Sequence, residues 1–276
     1  MGWLLVTINA SDVAASGAEP TAFLAALEMP GSLPVAELHR YLAGVRDSCA
    51  ANGLKYVGGN LREAALVGGV GTAIGTSLTA PLTRRGARPG DKLVVFGDGG
   101  RFWADVERLR LGHTIEPTLS PVFSPVSQSR VMHHLHREGL LACAMDTSDG
   151  LAPALEELVE KNHLRLRVSL ETMRGAHREL SERPERFWMG WGDWTVVAAV
   201  RPENIAKALK RVTVLNHTMT VVGEFFDGAP EVVLATASSE LPLPRLESER
   251  FAADSWFSKG VEEYRRLLHQ MTLPEL

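Results

Sequence analysis

Two aspartates, Asp146 and Asp149, stand close together on the short polar stretch 146-DTSDG-150, between an apolar run and a helix-like segment. Carboxylates at this spacing repel each other unless a cation lies between them. Mg²⁺ suits such a place, because it takes one or two protein carboxylates and completes its shell with phosphate oxygens and water. The competing interpretation is helix capping, in which Ser148 or Asp149 accepts the first free N–H groups of the next helix. The spacing alone leaves both interpretations open.

A glycine pair offers a second candidate for phosphate binding. Gly58, Gly59 and Asn60 follow a short strand-like run, and glycines there let backbone N–H groups approach an anion while the Asn60 amide bonds a phosphate or a sugar. An ordinary turn at the end of a strand explains the same three residues. The chain contains no G-x-x-x-x-G-K-[ST] and no G-x-S-x-G, which excludes P-loop nucleotide binding and a serine nucleophile elbow.

Histidines and tryptophans form two less specific groups. His133 and His136 share one face of a predicted helix that also carries His134, but no third metal ligand lies near them in the sequence, so a solvated or packing face is favoured. The stretch 190-GWGDW-194, with Asp193 and Trp194, predicts either the aromatic edge of a pocket or a tight entry into a strand.

Hydrophobic spacing predicts the elements that position these residues. Helices are expected at residues 35–52, 128–140, 152–162, 202–212 and 254–271, and strand-like runs at 21–29, 65–80, 92–97, 165–169, 195–200 and 221–226. Residues 65–80 are rich in glycine, alanine and threonine, which predicts a strand in close backbone contact with another element. The alternation of helices and strands predicts a mixed α/β (α+β) class with two lobes.

Composition excludes several classes of protein. The 276 residues are 45% hydrophobic and 22% charged with a formal net charge of −4, which gives no reason to expect nucleic acid or a membrane as a partner. The two cysteines, Cys49 and Cys143, form no disulfide framework and no zinc spacing, so a cytoplasmic setting is expected.

Four motifs in series resemble the superfamily of aminoimidazole ribonucleotide synthetase and thiamine-monophosphate kinase. They are 9-NASDVAASGAEP-20, 57-VGGN-60, 84-RRGARPGD-91 and 146-DTSDGL-151. The resemblance implies a two-lobed α/β fold, with paired N-terminal lobes in a homodimer, and ATP and Mg²⁺ bound between the lobes. Because the chain begins close to the first motif, an incomplete N-terminal lobe is expected. The expected divisions are an N-terminal lobe at 1–115, a linker at 116–127, a C-terminal lobe at 128–240 and an extension at 241–276.

The resemblance also implies roles for individual residues. Asp12, Asp146 and Asp149 are expected to bind Mg²⁺, and Asp149 is the expected proton acceptor in catalysis. Contacts with ATP are expected from Gly58, Gly59, Asn60, Arg84 and Ser148. Asp193 and Trp194 correspond to the substrate motif of the kinase.

The expected function is that of an ATP- and Mg²⁺-dependent phosphotransferase-like protein acting on a small molecule, as in thiamine-monophosphate kinase. The alternative is a non-catalytic nucleotide-binding or assembly protein of the same fold. Three departures favour this alternative: the acids that the family carries before the first motif are missing, Asn60 replaces the usual acid at the glycine pair, and Gly192 stands where the kinase motif has a glutamate.

Overall fold

The computed structural model describes residues 1–175, 177–245 and 260–275. Its helices are α1 (Gly2–Ala15), α2 (Val35–Ala51), α3 (Arg101–Arg110), α4 (Ser129–Arg137), α5 (Leu151–Asn162), α6 (Leu170–Met173), α7 (Ile205–Val214) and α8 (Val261–Gln270). Its strands are β1 (Glu19–Met29), β2 (Lys55–Glu63), β3 (Gly68–Thr76), β4 (Lys92–Phe96), β5 (Cys143–Asp146), β6 (Arg165–Ser169), β7 (Val196–Val200), β8 (Met219–Phe226), β9 (Glu231–Ala235) and β10 (Glu240–Pro242).

Two sheets give the molecule its two lobes and confirm the predicted mixed α/β class. The smaller sheet has the strand order β2-β1-β3, and the larger one has the order β10-β9-β6-β8-β4-β7-β5. The chain passes from the first sheet to the second between Thr76 and Lys92, because β4 pairs with β7 and β8. The chain therefore enters the larger sheet before residues 116–127, the segment that the proline-rich composition predicts to be the linker.

Helix α1 packs closely against the small sheet, and glycines in β3 make this approach possible. A Cβ atom on Gly71 would lie 2.5 Å from Nδ2 of Asn9, and one on Gly75 would lie 2.7 Å from Cγ1 of Val13. Side chains larger than hydrogen would push the helix away. The close backbone contact that the composition of residues 65–80 predicted is confirmed.

The predicted turn at Gly58 and Gly59 is wrong, because both glycines lie inside β2. The strand runs parallel to β1, and its register shifts so that Phe23 pairs with Tyr56 and Leu24 with Gly58. Gly59 has a φ of 152°, and a Cβ atom there would lie 1.8 Å from the Ala25 carbonyl oxygen. The glycine thus allows two strands to approach, which local sequence does not reveal.

An aromatic cluster joins α3 to the C-terminal helix. The rings of Trp103 and Tyr264 stack with centroids 5.4 Å apart, and the Trp103 indole donates to the Trp191 carbonyl at 2.8 Å. Glu107 accepts hydrogen bonds from Arg265 (3.0 Å) and from the His269 ring (3.1 Å). The amphipathic helix predicted at 254–271 is present from Val261 to Gln270. Residues 254–259 of the predicted helix lie outside the described residues.

Among the described residues, no helix is both long enough and apolar enough to cross a membrane.

Candidate active site

A cleft of about 540 Å³ lies where α1, β5 and the end of α5 meet. Its floor is built by the segment before β4: Leu82 donates its backbone N–H to the Ser16 carbonyl at 2.9 Å, and Ala144 donates its own to the Thr83 carbonyl at 3.0 Å. The charged side chains in its lining are those of Asp12, Arg84, Arg85, Asp146 and Lys161.

Two of the predicted metal ligands, Asp12 and Asp146, line this same cleft. Asp12 is exposed near the end of α1, whereas Asp146 is buried at the last position of β5. The fully buried Ser11 hydroxyl lies 3.3 Å from Oδ2 of Asp146, to which it donates a hydrogen bond. A buried residue of α1 thereby orients the Asp146 carboxylate on β5.

The opposite wall of the cleft is basic. Arg84 Nη1 lies 3.0 Å from Oε1 of Glu157, and Lys161 Nζ lies 3.3 Å from the same oxygen. Arg85 donates to the Lys161 carbonyl at 3.2 Å. One glutamate on α5 therefore holds two cations beside the two aspartates, and cations held in this way suit phosphate oxygens.

The loop that carries Arg84 is attached to α5 by Asn162. Its side-chain oxygen accepts the backbone N–H groups of Gly86 (2.8 Å) and Ala87 (3.0 Å), and its amide donates to the Arg84 carbonyl at 2.8 Å. Gly86 has a φ of 133°, and a Cβ atom there would lie 2.3 Å from the Ala142 carbonyl oxygen. Much of 84-RRGARPGD-91 therefore fixes the shape of the loop.

The stretch 146–150 does not cap α5 through a side chain. Gly150 occupies the N-cap position with no side-chain hydrogen bond to the helix, and its N–H donates to the Thr147 carbonyl at 2.9 Å. The helix-cap interpretation of Ser148 and Asp149 is therefore wrong. Both residues are half-buried in the turn that follows the cleft-lining Asp146, and neither belongs to the lining itself.

The glycine pair and Asn60 lie away from the cleft. Asn60 pairs with Ala26 and is exposed on the outer face of the small sheet, in a shallow depression shared with Val70. Helix α1 packs on the other face, so within one chain Asn60 is not brought together with Asp12.

Asp193 caps a helix from a distance in sequence. Its two carboxylate oxygens accept the backbone N–H groups of Gly100 (2.7 Å) and Phe102 (2.6 Å) at the start of α3. Burial raises the pKa of its carboxyl to about 7, although both hydrogen bonds favour the charged form. Trp194 is buried next to it with a φ of 54°. Both Asp193 oxygens are thus already engaged within the fold.

Three residues of the site gave no recognisable signal in the sequence. They are Glu157, Lys161 and Asn162, which belong to an ordinary helical run, and only the packing of α5 against the preceding loop brings them to the cleft. Ser11 and Arg85 lay inside quoted motifs without a role of their own. Burial raises the pKa values of both cysteine thiols to about 11, so neither Cys49 nor Cys143 is a ready nucleophile.

The cleft fits Mg²⁺ only in company with phosphate. Within residues 1–175, 177–245 and 260–275, no group of three His, Cys, Asp or Glu side chains is arranged to hold a metal ion. Asp12 and Asp146 with adjacent cations match the usual pattern for Mg²⁺, which is one or two carboxylates together with phosphate oxygens and water.

The chain belongs to the family of AIR synthase related proteins. The family model for the N-terminal domain of these proteins matches residues 1–79, and the model for their C-terminal domain matches residues 88–235. Thiamine-monophosphate kinase of Halobacterium salinarum is 35% identical over 260 residues, which cover 92% of this chain and 82% of that protein.

Solved structures share the fold. AaThiL in complex with AMPPCP and TMP has a TM-score of 0.70 at 22% identity, covering 87% of this chain and 79% of that one. The hydrogenase maturation protein HypE in complex with ATP has a TM-score of 0.74 at 20% identity, covering 90% and 79%. The predicted family and two-lobed fold are confirmed.

Proposed function

We propose that the protein is an ATP- and Mg²⁺-dependent phosphotransferase acting on a small molecule, with thiamine monophosphate as the first substrate to test. The observation that carries this proposal is that Asp12 and Asp146 line one cleft together with Arg84. Support comes from the relative named thiamine-monophosphate kinase, which matches most of this chain, and from the AaThiL structure that holds AMPPCP and TMP together.

In this proposal Asp12 and Asp146 would hold Mg²⁺, and the ion would supply neutralisation of phosphate charge. Arg84, Arg85 and Lys161 donate hydrogen bonds to the phosphate oxygens from the basic wall. Positioning and charge neutralisation account for most of the catalysis of phosphoryl transfer, so rigid attachment of these residues matters.

Asp149 and Ser148 retain their proposed roles beside the cleft. Free of the helix cap, Asp149 is assigned as the acceptor of the substrate proton or as a further metal ligand, and Ser148 as a contact of ATP. Their place in the turn directly after Asp146 supports this assignment.

The proposed homodimer forms through the small sheet. Leu24, Val70 and Ile74 are exposed on its outer face, opposite α1 and α2. Apolar side chains side by side on a sheet face mark an interaction surface. A monomer at micromolar concentration in analytical ultracentrifugation would contradict this assignment. The strand that carries Gly58, Gly59 and Asn60 belongs to this sheet. In this proposal, these three residues could contact ATP only if the nucleotide is bound by the second copy of the chain.

The protein is also assigned to the cytoplasm. Its two buried cysteines are free, and none of the described helices could span a membrane, which agrees with a reducing compartment.

The test is an activity assay of the full chain with ATP, Mg²⁺ and thiamine monophosphate, in which the formation of thiamine diphosphate and of ADP is measured. Asp146→Asn is expected to reduce kcat/KM at least ~100-fold, because it removes a charged ligand of the ion. Asp227→Asn, at an exposed turn after β8, is the matched control and should keep wild-type activity. Full Mg²⁺-dependent activity in Asp146→Asn would contradict the site assignment.

The non-catalytic alternative has its own outcome in the same assay. The departures at Asn60 and Gly192 favour it, and the fold is shared with HypE, a maturation protein. A wild-type chain that binds Mg-ATP in calorimetry but forms no phosphorylated product would support this alternative.

A further inference from the structure

A second cavity, of about 480 Å³, opens between the start of β1, the end of α2 and the first turns of α4. It shares no lining residue with the cleft that contains Asp12 and Asp146. Its basic side chains are Arg130, His133, His134 and His217. His217 comes from the residues before β8, so the fold adds a third histidine to the pair on α4.

The guanidinium of Arg130 has no close acidic partner among the described residues. Among the described residues, no carboxylate lies within 4.0 Å of the Arg130 guanidinium, and the nearest acid in the lining, Glu19, has its Oε2 4.0 Å from Nε2 of His133. Burial lowers the pKa of His134 and His217. The charges of His133, Arg137, Arg211 and Arg130 lower that of His134 further, and the charge of Arg130 lowers that of His217. An anion in the cavity would relieve this repulsion.

The wall of the cavity is held rigid by polar contacts. The Ser127 and Ser129 hydroxyls are 2.9 Å apart, and the Ser127 N–H donates to Oδ1 of the buried Asn52 at 2.8 Å. The start of α4 is therefore fixed against the end of α2 before any ligand arrives. A preformed concave wall lowers the entropic cost of binding.

We propose that this cavity is a binding site for a phosphate group, carried either by inorganic phosphate or by a small phosphate monoester. Arg130 and His217 would donate hydrogen bonds to its oxygens from two different elements, with His134 beside them. A transition-metal site fits less well, because the fixed charge of Arg130 repels a cation. In addition, none of the described histidines belongs to a metal-holding group of three.

A bound phosphate should change the titration of the two half-buried rings of His134 and His217. The charged or titratable groups that face His134 and His217 from the surrounding elements are Glu19, Asp98, Arg130, His133, Arg137 and Arg211. A phosphate dianion beside the two rings favours their protonated forms, so it is expected to raise the pKa values of both.

The experiment is an NMR titration of the histidine ring signals in the full chain, with inorganic phosphate at constant ionic strength. Saturable shifts are expected at His134 and His217, with upward movement of their pKa values and little change at the exposed His113. Arg130→Gln is expected to weaken phosphate binding about 10-fold, the usual effect of one charge-assisted hydrogen bond. Arg137→Gln, on the same helix but outside the cavity, should change it less than about 2-fold.

Further measurements identify the ligand and test whether the phosphate binds in this cavity or elsewhere. Tighter binding of AMP than of inorganic phosphate would identify a phosphate monoester as the ligand, and the reverse would identify the free ion. His217→Gln repeats the test from the other element if Arg130→Gln fails to fold. The proposal is overturned if the shifts do not saturate, if Arg84→Gln removes them while Arg130→Gln does not, or if Zn²⁺ alone perturbs the rings. None of these measurements depends on turnover, so they test the phosphate site independently of the proposed kinase function.

Discussion

The hydroxyl of Ser11 donates a hydrogen bond to Oδ2 of Asp146 across a distance of 3.3 Å, although 135 residues separate the two in the chain. The same hydroxyl lies 3.0 Å from the Ile8 carbonyl, so its single proton is shared between two acceptors. Helix α1 therefore carries Asp12 into the cleft and also orients Asp146. The two carboxylates are positioned by one element.

Ser11→Ala should disturb this positioning without removing a carboxylate. We expect the Mg²⁺ concentration needed for half-maximal activity to rise several-fold, because Asp146 loses its orienting hydrogen bond. The free energy of unfolding should fall by about 1 kcal/mol. A Mg²⁺ titration of turnover measures the first effect and denaturant unfolding the second. Thr213→Ala, which removes an exposed hydroxyl bonded to its own helix, is the control. An unchanged Mg²⁺ requirement in Ser11→Ala would mean that Asp146 needs no such support.

Gly58 and Gly59 offer a matched pair of substitutions in β2. Both have positive φ values, of 130° and 152°, but a Cβ atom on Gly58 meets nothing within 4 Å whereas one on Gly59 would strike the Ala25 carbonyl. Gly59→Ala should lower the free energy of unfolding by several kcal/mol, and Gly58→Ala by about 1 kcal/mol from backbone strain alone. Denaturant unfolding distinguishes them, and equal effects would contradict the close approach of β2 to β1.

Asn162→Ala should release the loop that carries Arg84. The variant loses four hydrogen bonds, including the one that the amide donates to Leu158, and leaves the backbone N–H of Gly86 without its acceptor. We expect a loss of about 1–3 kcal/mol in stability and weaker ATP binding in calorimetry. Gln270→Ala, at an exposed position of α8, is the control. Wild-type ATP affinity in Asn162→Ala would show that the loop holds its shape by other contacts.

The raised pKa of Asp193 predicts a pH effect on stability. Between about pH 4 and pH 7 the folded protein keeps this proton while the unfolded chain has lost it, so this group makes folding less favourable as the pH rises. The stability of the wild type relative to Asp193→Asn should therefore fall by roughly 2 kcal/mol from pH 5 to pH 8. Urea unfolding of both proteins across this range measures the difference. A constant difference would mean that the two N–H groups keep the carboxylate charged at all these pH values.

Helices and strands with one buried face were predictable from the sequence, because the spacing of their apolar residues indicates which face is buried. Residues 165–169 and the helix at 35–52 agree with β6 and α2 to within one residue. Helix α3 was missed, since charged residues dominate 101-RFWADVERLR-110 and its start is capped by Asp193, far along the chain. Strand β9 was also missed, because its pairing with the neighbouring strand β6 is a long-range contact that the local sequence does not show.

The lining of the candidate site was predictable where a motif names the residue, and unpredictable where only long-range contacts bring residues together. Asp12, Arg84 and Asp146 were named from motifs, and all three line the cleft. Asn60 was not brought to that cleft, because its side chain lies on the face of the small sheet opposite α1. The role of Asn162 depends on the loop of Gly86 lying against α5, a long-range contact that no local pattern encodes.

Strand β4 sets the order in which the larger sheet can fold. Phe96 pairs with Val196 on one side and with Met219 on the other, so this inner strand lacks both neighbours until more than a hundred further residues have been synthesised. The small sheet closes within residues 19–76. Non-local pairing slows folding, because the loop must close before its contacts are gained. On the ribosome, the first lobe can therefore form early, while β4 remains an unpaired apolar segment, exposed to aggregation, until β7 and β8 have been synthesised.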